Sequence, residues 1–461
     1  MKKLFLLLLL SSLFTSCLKD DLTFGTDSDT ENFVLLSGDL NTQTLTKGVR
    51  YLIKGQVFVR DTKVLTIQPG TVIFGDKATK GTLIIAPGGK LIADGTAAEP
   101  IVFTSSQRVE TRDRGDWGGL VLLGKAQVNQ TNPAIEGINP PVIYGGTNDA
   151  DNSGILKYVR VEYAGIELTP NNETNSITLG GVGSGTQMQY CQVSYGGDDG
   201  FEFFGGTVNA KNLISLGIWD DDYDIDFAYR GKIQFALAVR YPTFADQSGS
   251  NIIETDNGPN DNVTTLLTEG VVSNLTGIGP RLTNTQAINA NYQHALDLRR
   301  RTALTIANSV FVGMPRGIRM NQQSVYDNYN NGVGFLLNNT MSAPSTTFSV
   351  GTGMTATVAN LQTFWNANNT IIAGTDFETP TTGIYTTLGF NLNIFYGNNT
   401  QNFYPFNPAY EVTSGTLTTG ASFTNPKLTD AFFTPTTYRG AFGSTDWTAT
   451  WAEFHPTLKA Y

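Results

Sequence analysis

Short apolar triplets recur along the chain, separated by tight-turn residues, and they leave few folds open. Leu65-Thr66-Ile67, Val72-Ile73-Phe74, Leu83-Ile84-Ile85, Leu91-Ile92-Ala93 and Ile101-Val102-Phe103 form the first series. Gln68-Pro69-Gly70, Ala86-Pro87-Gly88-Gly89 and Asp94-Gly95-Thr96 connect them, and all three are turn chemistry. A sandwich wants longer alternating strands and Asn-Gly hairpin signals, which are scarce. Strands this short, each followed by a sharp turn, suit a coil of parallel strands in which every turn buries its inward side chains on the turns above and below.

Two further series point the same way. Asp198-Asp199-Gly200-Phe201-Glu202-Phe203 is echoed by Asp221-Asp222-Tyr223-Asp224-Ile225-Asp226-Phe227. Aligning Phe203 on Phe227 predicts a 24-residue turn. Asn308, Asn339 and Asn369 each lead an apolar strand, at offsets of 31 and 30, and predict a stacked Asn ladder at one corner. The expected fold is all-β: a right-handed parallel β-helix with a less regular C-terminal capping region.

The N-terminus predicts an address. Lys2 and Lys3 precede the apolar run Leu4 to Leu10, too short to span a bilayer, as in a secretory signal. Leu13-Phe14-Thr15-Ser16-Cys17 resembles a bacterial lipobox, with Phe14 where an aliphatic residue is usual, so Cys17 would carry the lipid. Lys19-Asp20-Asp21 resembles the export signal of Bacteroidota surface lipoproteins. Several acyl chains anchor stably where one binds marginally. The expected location is the cell surface, lipid-anchored in the outer membrane.

The net charge of −10 and a pI near 4.8 leave no basic footprint for nucleic acid. With Cys17 lipidated, Cys191 has no disulfide partner, and its MQYCQVSY setting reads as a buried strand. The expected organisation is a signal peptide over 1–16, an acidic tether over 17–45 (Asp27, Asp29, Glu31), the β-helix over 46–345 and a capping region over 346–461. The last holds one helix near 358–365 and an aromatic stretch from Tyr438 through Trp447 and Trp451 to His455, expected to cover the open end of the coil.

The run from Arg114 to Ala126, RGDWGGLVLLGKA, resembles one typical of a family of uncharacterised bacterial surface lipoproteins with a parallel β-helix, and so do GFEFFGGTVN at 200–209 and the closing GAFGSTDWTATW. The likeness covers most of residues 60–450. It implies the fold and the outer-membrane setting, not a function. Arg114-Gly115-Asp116 also spells an integrin-binding tripeptide, but a structural turn with Trp117 packed behind it suits a strand entry better.

Chemistry is concentrated in the acidic cluster. Asp198, Asp199 and Glu202 would lie one coil from Asp220, Asp221, Asp222, Asp224 and Asp226, and stacked strands are about 4.8 Å apart. Carboxylates that close take up a proton or a cation, and Ca²⁺ prefers such oxygen ligands. Acids pointing alternately to solvent would instead only aid solubility. His294, Asp297 and Arg299 in YQHALDLRRR, with Arg316 and Arg319, are the ligand-binding candidates, able either to hold an anion or to pair with the acids. Gly197-Asp198-Asp199, Thr255-Asp256-Asn257 and Arg316 to Arg319 faintly resemble pieces of polygalacturonase-type hydrolases, but their order differs and the Gly-His-Gly element is missing. No nucleophile elbow, phosphate loop or Cys/His zinc spacing occurs.

Three functions remain open. The first is a non-catalytic module that binds a glycan or docks on a TonB-dependent transporter. The second is a Ca²⁺-dependent polysaccharide lyase or glycoside hydrolase. The third is a structural or adhesion surface protein. An exposed aromatic row favours glycan binding, convergent carboxylates with His or Arg favour an enzyme, and a uniformly polar exterior favours the structural role.

Overall fold

The computed structural model describes residues 33–391 and 408–461, apart from 170, 171, 282, 284, 343, 344, 375, 378 and 380. Cys17, Lys19, Asp20 and Asp21 lie outside the described residues. Among the described residues, 26 strands pair in parallel, and one small antiparallel pair stands apart (Glu167–Thr169 with Asn172–Glu173). The strands stack in three columns, so the chain is a three-sided, right-handed parallel β-helix.

The first sheet runs from Gln43–Leu45 through Val64–Ile67 and Lys90–Asp94 to Leu336–Leu337. The second stacks Ile101–Ser105 under the later half of Gly154–Glu162 and continues to Thr370–Ile371. The third runs through Leu120–Leu123, Ile177–Gly180, Phe201–Phe204, Tyr223–Asp226, Ile253–Thr255, His294–Leu298 and Arg316–Met320 to Thr346–Val350. Among the described residues, coiled strands run from Val34, inside the expected tether, to Ile371, beyond the expected limit at 345. The inward residues of all three sheets form one apolar core, which includes Cys191.

One residue per coil turns the chain from the first sheet to the second. Tyr158, Tyr190, Asn212, Phe235, Asn274, Asn308 and Asn338 all hold φ between 50 and 60°. That left-handed conformation costs a side-chain-bearing residue about 1–2 kcal/mol, least for Asn. The aromatic corners offset part of the cost by contact, since the Tyr158 and Tyr190 rings stack 4.5 Å apart.

Two register expectations are corrected. Phe203 pairs with Ile225 and Phe204 with Asp226, so this coil takes 22 residues, not 24. Two aromatic-acidic echoes could be aligned, and only the inward alternation selects the right one. Likewise Asn308 is a corner residue, and the ladder is Ser309, Asn339 and Asn369. The Asn339 side-chain oxygen accepts from the Ser309 amide (3.0 Å), and the Asn369 oxygen accepts from the Asn339 amide and side chain (2.9 Å each).

The C-terminal aromatic stretch does not cover the open end. That position belongs to the helix Val358–Asn366, capped by Thr357, which packs Leu361 and Trp365 on the last coil. The aromatic stretch runs instead along the flank of the solenoid, as a strap. Its Phe442, Trp451 and Phe454, with Tyr410 before it, bury outward residues of the second sheet, among them Ile214, Leu216, Leu237, Val239 and Ile278. Second-sheet strands are thus covered on both faces, which explains unbroken apolar runs such as FALAV at 235–239.

Candidate functional site

The third sheet carries its chemistry outward. Tyr223 and Ile225 face the core, so Glu202, Asp224, Glu254, Asp297 and Arg319 align in one outer row, held in register by the parallel ladder. Earlier members of this row are Val121 and Thr178. There the outer face is roofed by the loop over 124–153, whose Ile138, Val142 and Tyr144 pack on Val121 and Leu123.

A second line runs along the turn before these strands. The Asn175 side-chain oxygen accepts from the Asp199 amide (3.3 Å), Asp199 from the Asp221 amide (2.8 Å), Asp221 from the Asn251 amide, and Asn251 from the His294 amide (2.9 Å). This ladder needs only an acceptor, because Asn serves at both of its ends. The charge on its middle members is additional, and it lies where the other acids converge.

Three overlapping groups result: Asp198 with Asp199 and Asp220; Asp199 with Glu202 and Asp224; and Asp221 with Asp224 and Glu254. Within each group one carboxylate oxygen per residue lies within 4.8 Å of the others. Burial, reinforced by neighbouring acids, pushes Asp198, Asp199, Glu202, Asp221 and Asp224 well above the usual carboxylate range. Burial pushes Asp220 up to about 6 and Asp226 up to about 7. Asp220 Oδ1 and Asp224 Oδ1 are buried atoms with no hydrogen-bond partner. Hard oxygen donors at this spacing fit a cation of the Ca²⁺ class.

Of the expected ligands, Asp222 is turned away from the groups, and Asp226 lies beside Asp224 but outside the three groups. Asp222 is fully buried against Arg240 (3.2 Å) and accepts from Ser215 (2.5 Å). Asp226 accepts from the Asp256 amide (2.8 Å). Glu254 was not legible beforehand. It sits 30 residues after Asp224, where the coil lengthens, and no local repeat marks it.

The cationic candidates meet the acids. Arg299 pairs with Glu254 (2.5 Å) and Asp256 (2.6 Å), Arg300 also pairs with Asp256 (2.5 Å), and Arg319 pairs with Asp297. Arg316 hydrogen-bonds Gln293. His294 lies buried, with Nε2 3.3 Å from Ser349 Oγ, and burial beside Arg319 and Arg316 lowers it to about 3. It is neutral at physiological pH and a weak base.

The tripeptide is a structural turn. Asp116 is fully buried between Lys77 (2.7 Å) and Ser105 (2.6 Å), and Arg114 stacks on Trp219 (3.8 Å) and Phe244 (4.4 Å). Trp117 fills the space above Gly75, where a Cβ would meet the indole at 2.3 Å. Trp219 and Phe244 belong to an aromatic row with Tyr163, Tyr195 and Tyr241 at the corner between the second and third sheets. Trp219 Nε1 donates to Asp246 (2.9 Å), and Ser248 bridges Asp246 to Asp220 (2.7 Å to each), joining the row to the acidic groups.

A comparison with curated proteins and one with solved structures return no match. A family model does match, that of the pectate-lyase-like β-helix domain, over residues 38–386, most of the coil described above. The chain therefore belongs to the pectate-lyase-like β-helix family.

Proposed function

We propose that this protein is a lipid-anchored surface module that binds an acidic polysaccharide without cleaving it, through Ca²⁺ held on the outer face of the third sheet. The supporting observation is the charge on Asp199 and Asp221. Asn175 and Asn251 fill the same ladder role without charge, so the two acids add repulsion with no gain to the fold. A cation held by Asp199, Glu202 and Asp224, or by Asp221, Asp224 and Glu254, removes that repulsion and leaves coordination positions for uronate oxygens. The family assignment fits a polysaccharide-related role.

Binding is preferred to cleavage because the bases are engaged. Lyase chemistry needs a free base near the α-proton. Arg299 and Arg319 are held by carboxylates, and His294 is a weak, buried base. Surface anchoring through Cys17, and a TonB-dependent transporter as the partner receiving the glycan, belong to the same proposal.

The test mixes protein truncated after Cys17 with polygalacturonate or alginate, in Ca²⁺ and in EDTA, and follows binding heat, ultraviolet absorbance of unsaturated ends and new reducing ends. Binding only in Ca²⁺ with no new absorbance and no new reducing ends is expected. Unsaturated ends would make the protein a lyase, new reducing ends alone a hydrolase, and no binding in Ca²⁺ would leave the structural reading.

A further inference from the structure

The flank opposite in character to the acidic row holds a second recognition surface. Buried carboxamides on the solenoid grip the strap by its main chain. Gln192 Nε2 donates to the Glu453 carbonyl (2.7 Å) and its Oε1 accepts from the Glu453 amide (2.9 Å). Gln234 makes the same two bonds to Thr434 (2.8 Å each), and Asn308 makes them to Ser422 (3.1 and 2.9 Å). Asn274 Nδ2 adds the carbonyls of Tyr438 (3.2 Å) and Gly440 (3.1 Å).

A donor and an acceptor presented together by one residue are what a peptide main chain offers, and a carboxamide answers both. These pairs read main chain whatever its side chains. Position is set by side-chain anchors. The Trp451 ring meets Tyr158 and Tyr190 edge-on, 5.9 Å from each. At the far end the Tyr461 hydroxyl donates to buried Glu162 (2.6 Å).

We propose that this flank is a preformed peptide-binding groove and that residues 408–461 are its ligand, docked in cis as a detachable strap. The groove faces away from the carboxylate row, so the inference stands independently of polysaccharide binding. The occupant is the chain's own C-terminal segment, because only that segment supplies Trp451 and Tyr461 at the spacing of Tyr158, Tyr190 and Glu162.

The test uses the full chain with a protease site inserted between residues 391 and 408. After cleavage, labelled 408–461 fragment is added and exchange is followed by fluorescence anisotropy. The bound fragment is expected to exchange while the solenoid stays folded by circular dichroism. Gln192→Ala should speed release about tenfold, and Gln192→Ala with Gln234→Ala about a hundredfold, since each substitution strands a strap amide and carbonyl. Two results would overturn the proposal: a fragment that leaves only when the whole solenoid melts in one transition, or carboxamide variants that release it at the unmodified rate. Trp451→Ala, which leaves every carboxamide pair in place, should also speed release; if it does not, the anchors do not hold the strap.

Discussion

The second and third sheets share one backbone plan and present opposite exteriors. Outward positions of the second sheet are Ile214, Leu216, Leu237, Val239 and Ile278, and the strap covers them. Outward positions of the third are Glu202, Asp224, Glu254 and Asp297, and the acids there crowd one another. The coil itself does not dictate this difference, since its inward faces and ladders are equivalent. A solenoid is stabilised by nearest-neighbour stacking, so its outer rows are free to be used. One is used for burial and the other for charge.

The largest predicted effect lies at the corner between the two faces. Arg240 and Asp222 are both fully buried there and pair with each other. Arg240→Met leaves that acid unpaired and should cost about 3–5 kcal/mol in urea unfolding, with most of it recovered when Asp222→Leu is added. Recovery below half would mean the pair serves more than charge balance. On the covered face, Trp451→Ala should cost about 3 kcal/mol, because an almost fully buried ring leaves a cavity between Tyr158 and Tyr190. A change under 1 kcal/mol would show the strap adds little to stability.

On the charged face the sign reverses. Raised folded-state values, about 6 for Asp220 and about 7 for Asp226, mean the folded protein holds protons that the unfolded chain releases. Without metal, stability from this cluster is fully present below pH 4 and is lost as pH rises to about 7, at about 1.4 kcal/mol per unit of displacement. Melting in EDTA should therefore fall across that window, and Asp224→Asn should flatten the fall. A metal-free melting temperature that rises steadily from pH 4 to 7 would mean the acids are not crowded.

The smallest effect compares the two side-chain ladders. Asn339→Ala in the neutral ladder should cost about 1–2 kcal/mol, since it strands the Ser309 amide. Asp221→Asn in the acidic ladder keeps the acceptor and should leave metal-free stability equal or higher. If Asp221→Asn costs as much as Asn339→Ala, charge at that position serves the fold.

Much of this was legible in the sequence, and the gaps have physical causes. Triplets and turns gave the coil, because inward packing repeats locally. Loop inclusions between Asp224 and Glu254, and between Glu254 and Asp297, hid the rest of the acidic row, since a residue joins it only through pairing register. Adjacency groups Asp222 with its neighbours, yet it points to the buried Arg240. The aromatic stretch reads as an end cap because aromatic density announces burial but not the partner. Gln192 and Gln234 gave no signal, as a carboxamide that grips a distant backbone looks like any polar strand residue.

The most direct test of the central claim is a Ca²⁺ titration by calorimetry and melting of the protein truncated after Cys17, beside its Asp224→Asn/Glu254→Gln variant. Saturable binding with a rise in melting temperature is expected in the unmodified protein. In the variant neither is expected, and the metal-free melting temperature is higher. No heat and no shift in the unmodified protein would overturn the metal site and leave the row as surface charge.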